Sequence, residues 1–127
     1  MATIRRFENL QAWQKARELV RDVYKICTTE RLNKDYGLKD QLRRAAVSSM
    51  SNIAEGFARS SDKDYAHFLD MAKGSLLEVQ SLFYVSLDVG YIERDEFEKL
   101  FKLADETISL VSGFASYLCK SPQTSGS

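Results

Sequence analysis

The sequence predicts an all-α fold, an up-down-up-down antiparallel four-helix bundle, and three observations carry that prediction. Apolar residues recur at three- and four-residue spacing along four long segments, with no run of strict alternation to mark a strand. The single proline, Pro122, lies beyond all four segments, so nothing inside them is forced to break. The connectors are short, which makes consecutive helices antiparallel neighbours. With 127 residues, 44% of them hydrophobic and 28% charged, the chain is expected to form one domain over residues 1–120. A core of that size needs neither disulfide nor metal.

The first helix is expected from about Phe7 to Thr28, with Trp13, Ala16, Val20, Val23, Tyr24 and Cys27 on one face and Arg17, Arg21 and Lys25 along the opposite one. A polar connector, TTERLNKDYG, follows. The second helix is expected from about Leu38 to Arg59. A cap at Ser60 or Ser61 and the carboxylates of Asp62 and Asp64 favour the start of a third, because negative charge complements the positive end of a helix. Its stripe of Tyr65, Phe68, Leu69, Ala72, Leu76, Val79, Phe83 and Leu87 runs to about Val89, and Gly90 ends it. The fourth helix starts near Asp95 and repeats Phe97, Leu100, Phe101, Ala104, Ile108, Val111, Ala115 and Leu118. Residues 121–127, SPQTSGS, read as a disordered polar tail.

Composition excludes several classes of function. No apolar run has the length of a signal peptide or a membrane span, so a soluble cytoplasmic protein with no membrane partner is expected. Cys27 and Cys119 form no CxxC and fall within apolar helical patterns, which reads as buried reduced thiols. Net charge is zero, but it is unevenly placed: residues 1–60 hold 12 Lys and Arg against 7 Asp and Glu, while residues 61–127 hold 6 against 11. The first half could offer anions a basic surface, or the two halves could neutralise one another.

The second helix carries the most unusual segment, QLRRAAVSSMSNIAEGFARSS. At about 100° per residue, Leu38, Leu42, Ala45, Ser49 and Ile53 share a core-facing arc. Ala46, Val47, Met50, Ala54 and Phe57 extend the apolar surface well beyond it, wider than one packing seam requires. A second surface to bury implies self-association, with small residues allowing close helix approach. Gln41, Arg44, Ser48, Ser51, Glu55 and Arg59 fill the polar arc, where Glu55 and Arg59 are spaced to pair. Asn52 lies on its border, where an Asn can fix register by hydrogen bonding.

Asp35-Tyr36-Gly37-Leu38, Gln41-Leu42-Arg43-Arg44-Ala45-Ala46-Val47-Ser48, Ser51-Asn52-Ile53-Ala54-Glu55-Gly56 and, later, Phe68-Leu69, Ala72 and Gly74-Ser75 closely resemble the four-helix-bundle proteins encoded in intervening sequences of bacterial 23S ribosomal RNA genes. That family includes the accessory variability determinant of diversity-generating retroelements. Phe7, Leu10, Trp13, Ala16 and Val23-Tyr24 join the resemblance, which extends to about Tyr91; the fourth helix matches only in apolar pattern. Two departures stand out. The family's Phe-Pro connector is replaced by Arg31-Leu32-Asn33-Lys34-Asp35, and Met50 stands where a proline is common, which should straighten the second helix.

The resemblance implies a homo-oligomer, pentameric and barrel-shaped, with no established catalytic activity. The retroelement branch works by binding RNA and a reverse transcriptase, so structured RNA or DNA, and a reverse transcriptase or other basic protein, are the partners to expect here; the branch associated with ribosomal RNA has no settled role. On this reading Arg43, Ala46, Val47, Met50, Asn52, Ala54 and Phe57 form the subunit interface.

No catalytic constellation is apparent. Asp64-x-x-His67 has half of a di-iron spacing, but His67 is the sole histidine. Glu93-x-x-Glu96 resembles a nucleotide-pyrophosphatase pair, yet no second such pair follows, and helix N-terminal charge explains it. No phosphate-binding loop or nucleophile and base pair is present. No enzyme activity, cofactor or metal is therefore expected. Two functions compete. In the first, Arg5, Arg6, Lys15, Arg17, Arg21, Lys25, Arg44 and Arg59 bind structured RNA or DNA, multiplied by a ring of subunits. In the second, Leu77, Tyr84 and Val85 anchor a protein partner on a scaffold that touches no nucleic acid.

Overall fold

A computed structural model describes residues 4–120; the expected polar tail lies outside the described residues. Those residues form a 3-10 turn (Phe7–Asn9) and five α-helices: α1 (Gln11–Ile26), α2 (Glu30–Lys34), α3 (Tyr36–Phe57), α4 (Asp62–Asp88) and α5 (Arg94–Lys120). No strand occurs among them.

Two boundaries differ from the sequence reading, each for a tertiary reason. The first helix does not begin at Phe7. Leu10 is extended (φ −74°, ψ 127°) and buried, and the Phe7 ring packs edge-on against Trp13 with centroids 5.1 Å apart. This brace across the break resembles a hydrophobic staple and sets the angle at which the chain enters α1. The polar connector, in turn, contains a helix. Leu32 is fully buried, and that single apolar anchor winds Glu30–Lys34 into α2 against α3.

The remaining ends follow local chemistry. Thr28 and Thr29 hydroxyls donate to the Lys25 and Ile26 carbonyls, each at 2.7 Å, satisfying oxygens at the α1 C-terminus. The Asp35 carboxylate accepts from the Leu38 amide at 3.2 Å to cap α3, and the Ser61 hydroxyl accepts from the Asp64 amide at 3.1 Å to cap α4. Gly90 has φ +79°, the left-handed conformation that ends α4 without a Cβ penalty.

The four long helices touch in cyclic order, α1 to α3, α3 to α4, α4 to α5, and α5 back to α1. Cross-helix contacts give their directions. From the N- to the C-terminal end of α3, Gln41 bonds to Glu78, Ser48 to Ser75, and Gly56 abuts Tyr65 and Phe68. The partner numbers fall as the α3 numbers rise, so α3 and α4 are antiparallel. Gln80 with Asp105 and Tyr65 with Phe114 show the same for α4 and α5. At Gly56 the α3 and α4 chains lie close together: a Cβ there would sit 2.9 Å from both Phe68 Cβ and Tyr65 Cδ1.

Leu19, Leu42, Ile53, Leu69, Leu76, Phe83 and Val111 centre the core. The polar side chains within it are satisfied locally. Ser49, Ser86 and Thr107 donate to carbonyls three or four residues back at 2.7, 2.9 and 2.8 Å, as buried hydroxyls must. Tyr65 is the exception on α4: its hydroxyl is buried without a hydrogen-bond partner.

Candidate nucleic-acid interface

Periodicity on α1 places Arg17, Arg21 and Lys25 one turn apart, and all three are exposed. Among the described residues none of them lies within ion-pair distance of a carboxylate. Arg17 lies over the Trp13 ring, 5.6 Å from its centroid, so its stem shields that ring while its charge faces water. Tyr24, expected on the buried face, is instead 44% exposed beside Arg21 and Lys25. It sits roughly 100° from the centre of the buried arc, at the edge of α1's core stripe.

Tyr24 also links α1 to α3. The Arg43 guanidinium lies 5.5 Å from its ring centroid, and Tyr24 joins Asp40, Arg43, Arg44, Val47 and Ser48 in lining a shallow groove of about 550 Å³. A second groove of about 460 Å³ is lined by Val20, Arg21, Tyr24, Lys25 and Thr28. The cations of α1 and of the first half of α3 thus meet at one tyrosine.

The other expected cations are placed elsewhere or are already engaged. Lys15 turns to the α1–α5 groove, 3.9 Å from Glu18 and 3.8 Å from Glu106. Arg6 pairs with Glu8, whose carboxyl is held below its usual range chiefly by that bond. Arg44 pairs with Asp40 at 2.9 Å. Arg59 donates to the Glu55 carbonyl at 3.2 Å rather than to its carboxylate, and stacks on Phe68 at 4.6 Å. Arg5 is exposed at the same end. Of the eight residues, the structure brings together Arg17, Arg21 and Lys25, with Arg44 nearby.

Residues 8–113 match the family described as 23S rRNA-intervening sequence protein. The chain belongs to that family. A solved structure from Bacteroides thetaiotaomicron, described as a protein of unknown function from the S23 ribosomal protein family, is similar to it with a TM-score of 0.75 and 21% identity, over 82% of this chain and 97% of that one. At that identity the likeness speaks for the fold alone. No curated protein matches.

The family signature on α3 is largely occupied within the chain's own fold. Ala46 is fully buried and Asn52 is 8% exposed, its amide donating to the Ser48 carbonyl at 2.9 Å. Met50, Ala54 and Phe57 are half-buried against the core. The wide apolar arc has an intramolecular cause: α3 packs against both α1 and α4, on two different sides. Among the residues expected at a subunit interface, Val47 is 38% exposed and Arg43 half-buried under Tyr24. Larger apolar exposure lies on α4, at Met71, Leu77, Tyr84 and Val85, and at Val89 just after it, although Tyr84 also packs on Phe97 and Phe101 of α5.

Cys27 is buried, which pushes its thiol pKa up. Cys119, expected to be buried, is exposed in the last turn of α5, where few elements remain to cover it. His67 is exposed and meets Phe68 edge-on. Among the described residues no cluster of three or more His, Cys, Asp or Glu side chains is arranged for a metal, and no helix is long and apolar enough to cross a membrane.

Proposed function

We propose that this family member is a non-catalytic, homo-oligomeric, cytoplasmic protein that binds structured RNA through the outer face of α1. The fold reading that accompanies it is a four-helix bundle of long antiparallel helices, with α2 decorating one connector, assembled into a pentameric ring. The observation that carries the function is the set Arg17, Arg21 and Lys25: exposed, one turn apart, and unpaired with any carboxylate among the described residues. Long cations kept in water and away from counter-charges are suited to phosphates. A ring would repeat the set in every subunit, so weak single contacts would sum to useful avidity.

Exposed Leu77 (50%) and Val85 (42%) on α4 support a second reading, in which that face docks a basic protein such as a reverse transcriptase and RNA is not contacted. The same face suits subunit packing.

Fluorescence anisotropy separates the two. Structured RNA should bind at low salt and lose affinity steeply as salt rises, because each phosphate contact releases counterions. The triple variant Arg17→Glu, Arg21→Glu, Lys25→Glu should abolish binding with oligomer mass unchanged. Binding that survives the triple reversal removes α1 from the site, and no binding by the unaltered protein at low salt leaves the protein-partner reading.

A further inference from the structure

We propose that Tyr24 is a stacking platform for an unpaired nucleobase, with Arg21 and Lys25 gripping the phosphates beside it. The proposal rests on the RNA reading above and names the substrate class of the same face: loops, bulges or other single-stranded segments of a structured RNA, not continuous duplex.

Four observations converge on this residue. Tyr24 sits at the edge of α1's core stripe and is 44% exposed, so a large part of its ring is left in water. It is the one residue shared by both grooves, forming a wall between the α1 groove and the α1–α3 groove. Arg43 lies over the ring at 5.5 Å, a cation–π contact that fixes its orientation. A ring held in place forfeits little freedom when a base stacks on it. Finally, the surroundings are cationic: Arg21 and Lys25 flank Tyr24 on α1, Arg43 and Arg44 face it from α3, and Asp40, the one carboxylate lining either groove, is engaged by Arg44.

This pairing of an exposed aromatic with backbone-tracking cations is how proteins hold single strands. Every base has a π-face, and the charges follow the phosphates whatever the sequence. Duplex RNA cannot use it, because its bases are already stacked and paired, and only its shape and backbone are accessible. Arg17, Arg21 and Lys25 alone would bind duplex and single strand alike. Tyr24 is the group that distinguishes them, and the α1 groove, lined by Val20 and Thr28 beside the ring, has room for one base.

The test compares a short single-stranded RNA carrying a fluorescent adenine analogue with a blunt duplex of the same length, at low salt, using the full chain. The analogue's emission should be quenched on binding. Tyr24→Ala should weaken single-strand binding roughly 5- to 150-fold, the range for loss of one stacked base. It should leave duplex affinity and oligomer mass unchanged, and Tyr24→Phe should retain single-strand affinity within about twofold.

Unchanged single-strand affinity in Tyr24→Ala overturns the platform. If the α1 triple reversal still abolishes binding in that case, the RNA reading stands and only the platform fails. If Tyr24→Ala lowers the oligomer mass in native mass spectrometry, the ring is a subunit contact and the proposal is wrong. If neither RNA binds the unaltered protein, the RNA reading fails and the platform fails with it.

Discussion

Arg31 and Arg21 are ten residues apart and both exposed, but the structure uses them in opposite ways. Arg31, on α2, reaches the turn between α4 and α5. Its guanidinium donates to the Gly90 and Val89 carbonyls at 3.2 and 3.3 Å and stacks over Tyr91 at 5.3 Å. Tyr91 in turn donates to the Asp35 carboxylate at 2.9 Å, and Asp35 caps α3. One arginine thereby ties the α1–α3 connector to the α4–α5 turn at the end of the bundle. Arg21 has none of these partners. A cation that neutralises helix C-terminal carbonyls contributes to folding; one that points into water beside an exposed tyrosine contributes nothing measurable to it. The difference separates cations engaged within the fold from cations left in water, within a single half of the chain where composition alone shows only an excess of basic residues.

The largest stability effect should follow from breaking the clamp. Arg31→Ala is expected to cost about 1–2 kcal/mol, from two charge-assisted hydrogen bonds and one cation–π contact at an exposed site. Arg31→Lys should recover less than half of that, because a point charge cannot reach two carbonyls and lie flat on a ring together. Thermal unfolding monitored by circular dichroism reads both. By contrast, Arg17→Ala, Arg21→Ala and Lys25→Ala combined should change stability by no more than about 0.5 kcal/mol. A drop as large as that for Arg31→Ala would erase the distinction between the two regions and recast the α1 cations as structural.

Tyr91→Phe should have a smaller effect, about 1 kcal/mol or less, since it removes one hydrogen bond while the Asp35 cap and the Arg31 stack persist. Its hydroxyl pKa is raised chiefly by that bond to Asp35. Substituting Asp35→Asn and measuring urea unfolding tests the coupling. If the losses from Tyr91→Phe and Asp35→Asn add fully, the tyrosine and the cap act independently; a shortfall in the double variant shows one network.

The four long helices were legible from the sequence because each carries a stripe of apolar residues at helical spacing, and the Ser61 cap acts between neighbours in the chain. The clamp was not legible. Arg31 and Gly90 are 59 residues apart, and nothing local marks an arginine as a partner for distant carbonyls. Leu32 was similarly silent, since one apolar residue in a polar connector has no period. The contact of Lys15 with Glu106 was not legible either, because Glu106 belongs to α5. The i, i+4 spacing of Asp40 and Arg44, however, was a local signal that could have found their pair. The arc of α3 has a second explanation that periodicity does not supply: a helix in a cyclic bundle buries two seams, so apolar width beyond one seam does not by itself require a second chain. Tyr24 lay at the edge of its stripe, where periodicity cannot separate a core ring from a surface one.

Tyr65 completes the comparison, because it is unpartnered like Arg21 but buried like the core. Its ring packs edge-on with Phe57 and Phe114, while its hydroxyl has no hydrogen-bond partner and burial raises its pKa to about 12. An unpaired group in water loses nothing, whereas one out of water forfeits its hydration. Tyr65→Phe should therefore be neutral to stabilising by about 1 kcal/mol at pH 7, opposite in sign to the loss expected from Tyr91→Phe. Burial also adds a pH dependence. Above the unfolded tyrosine's pKa of about 10 the unfolded chain loses its proton while the folded chain keeps it, so stability falls as pH rises from about 10 to 12. Tyr65→Phe should flatten that part of the alkaline decline in urea midpoint. A variant that is destabilised at pH 7, with the decline unchanged, would show that the hydroxyl is satisfied in solution and that burial without a partner is not what distinguishes it from the cations of α1.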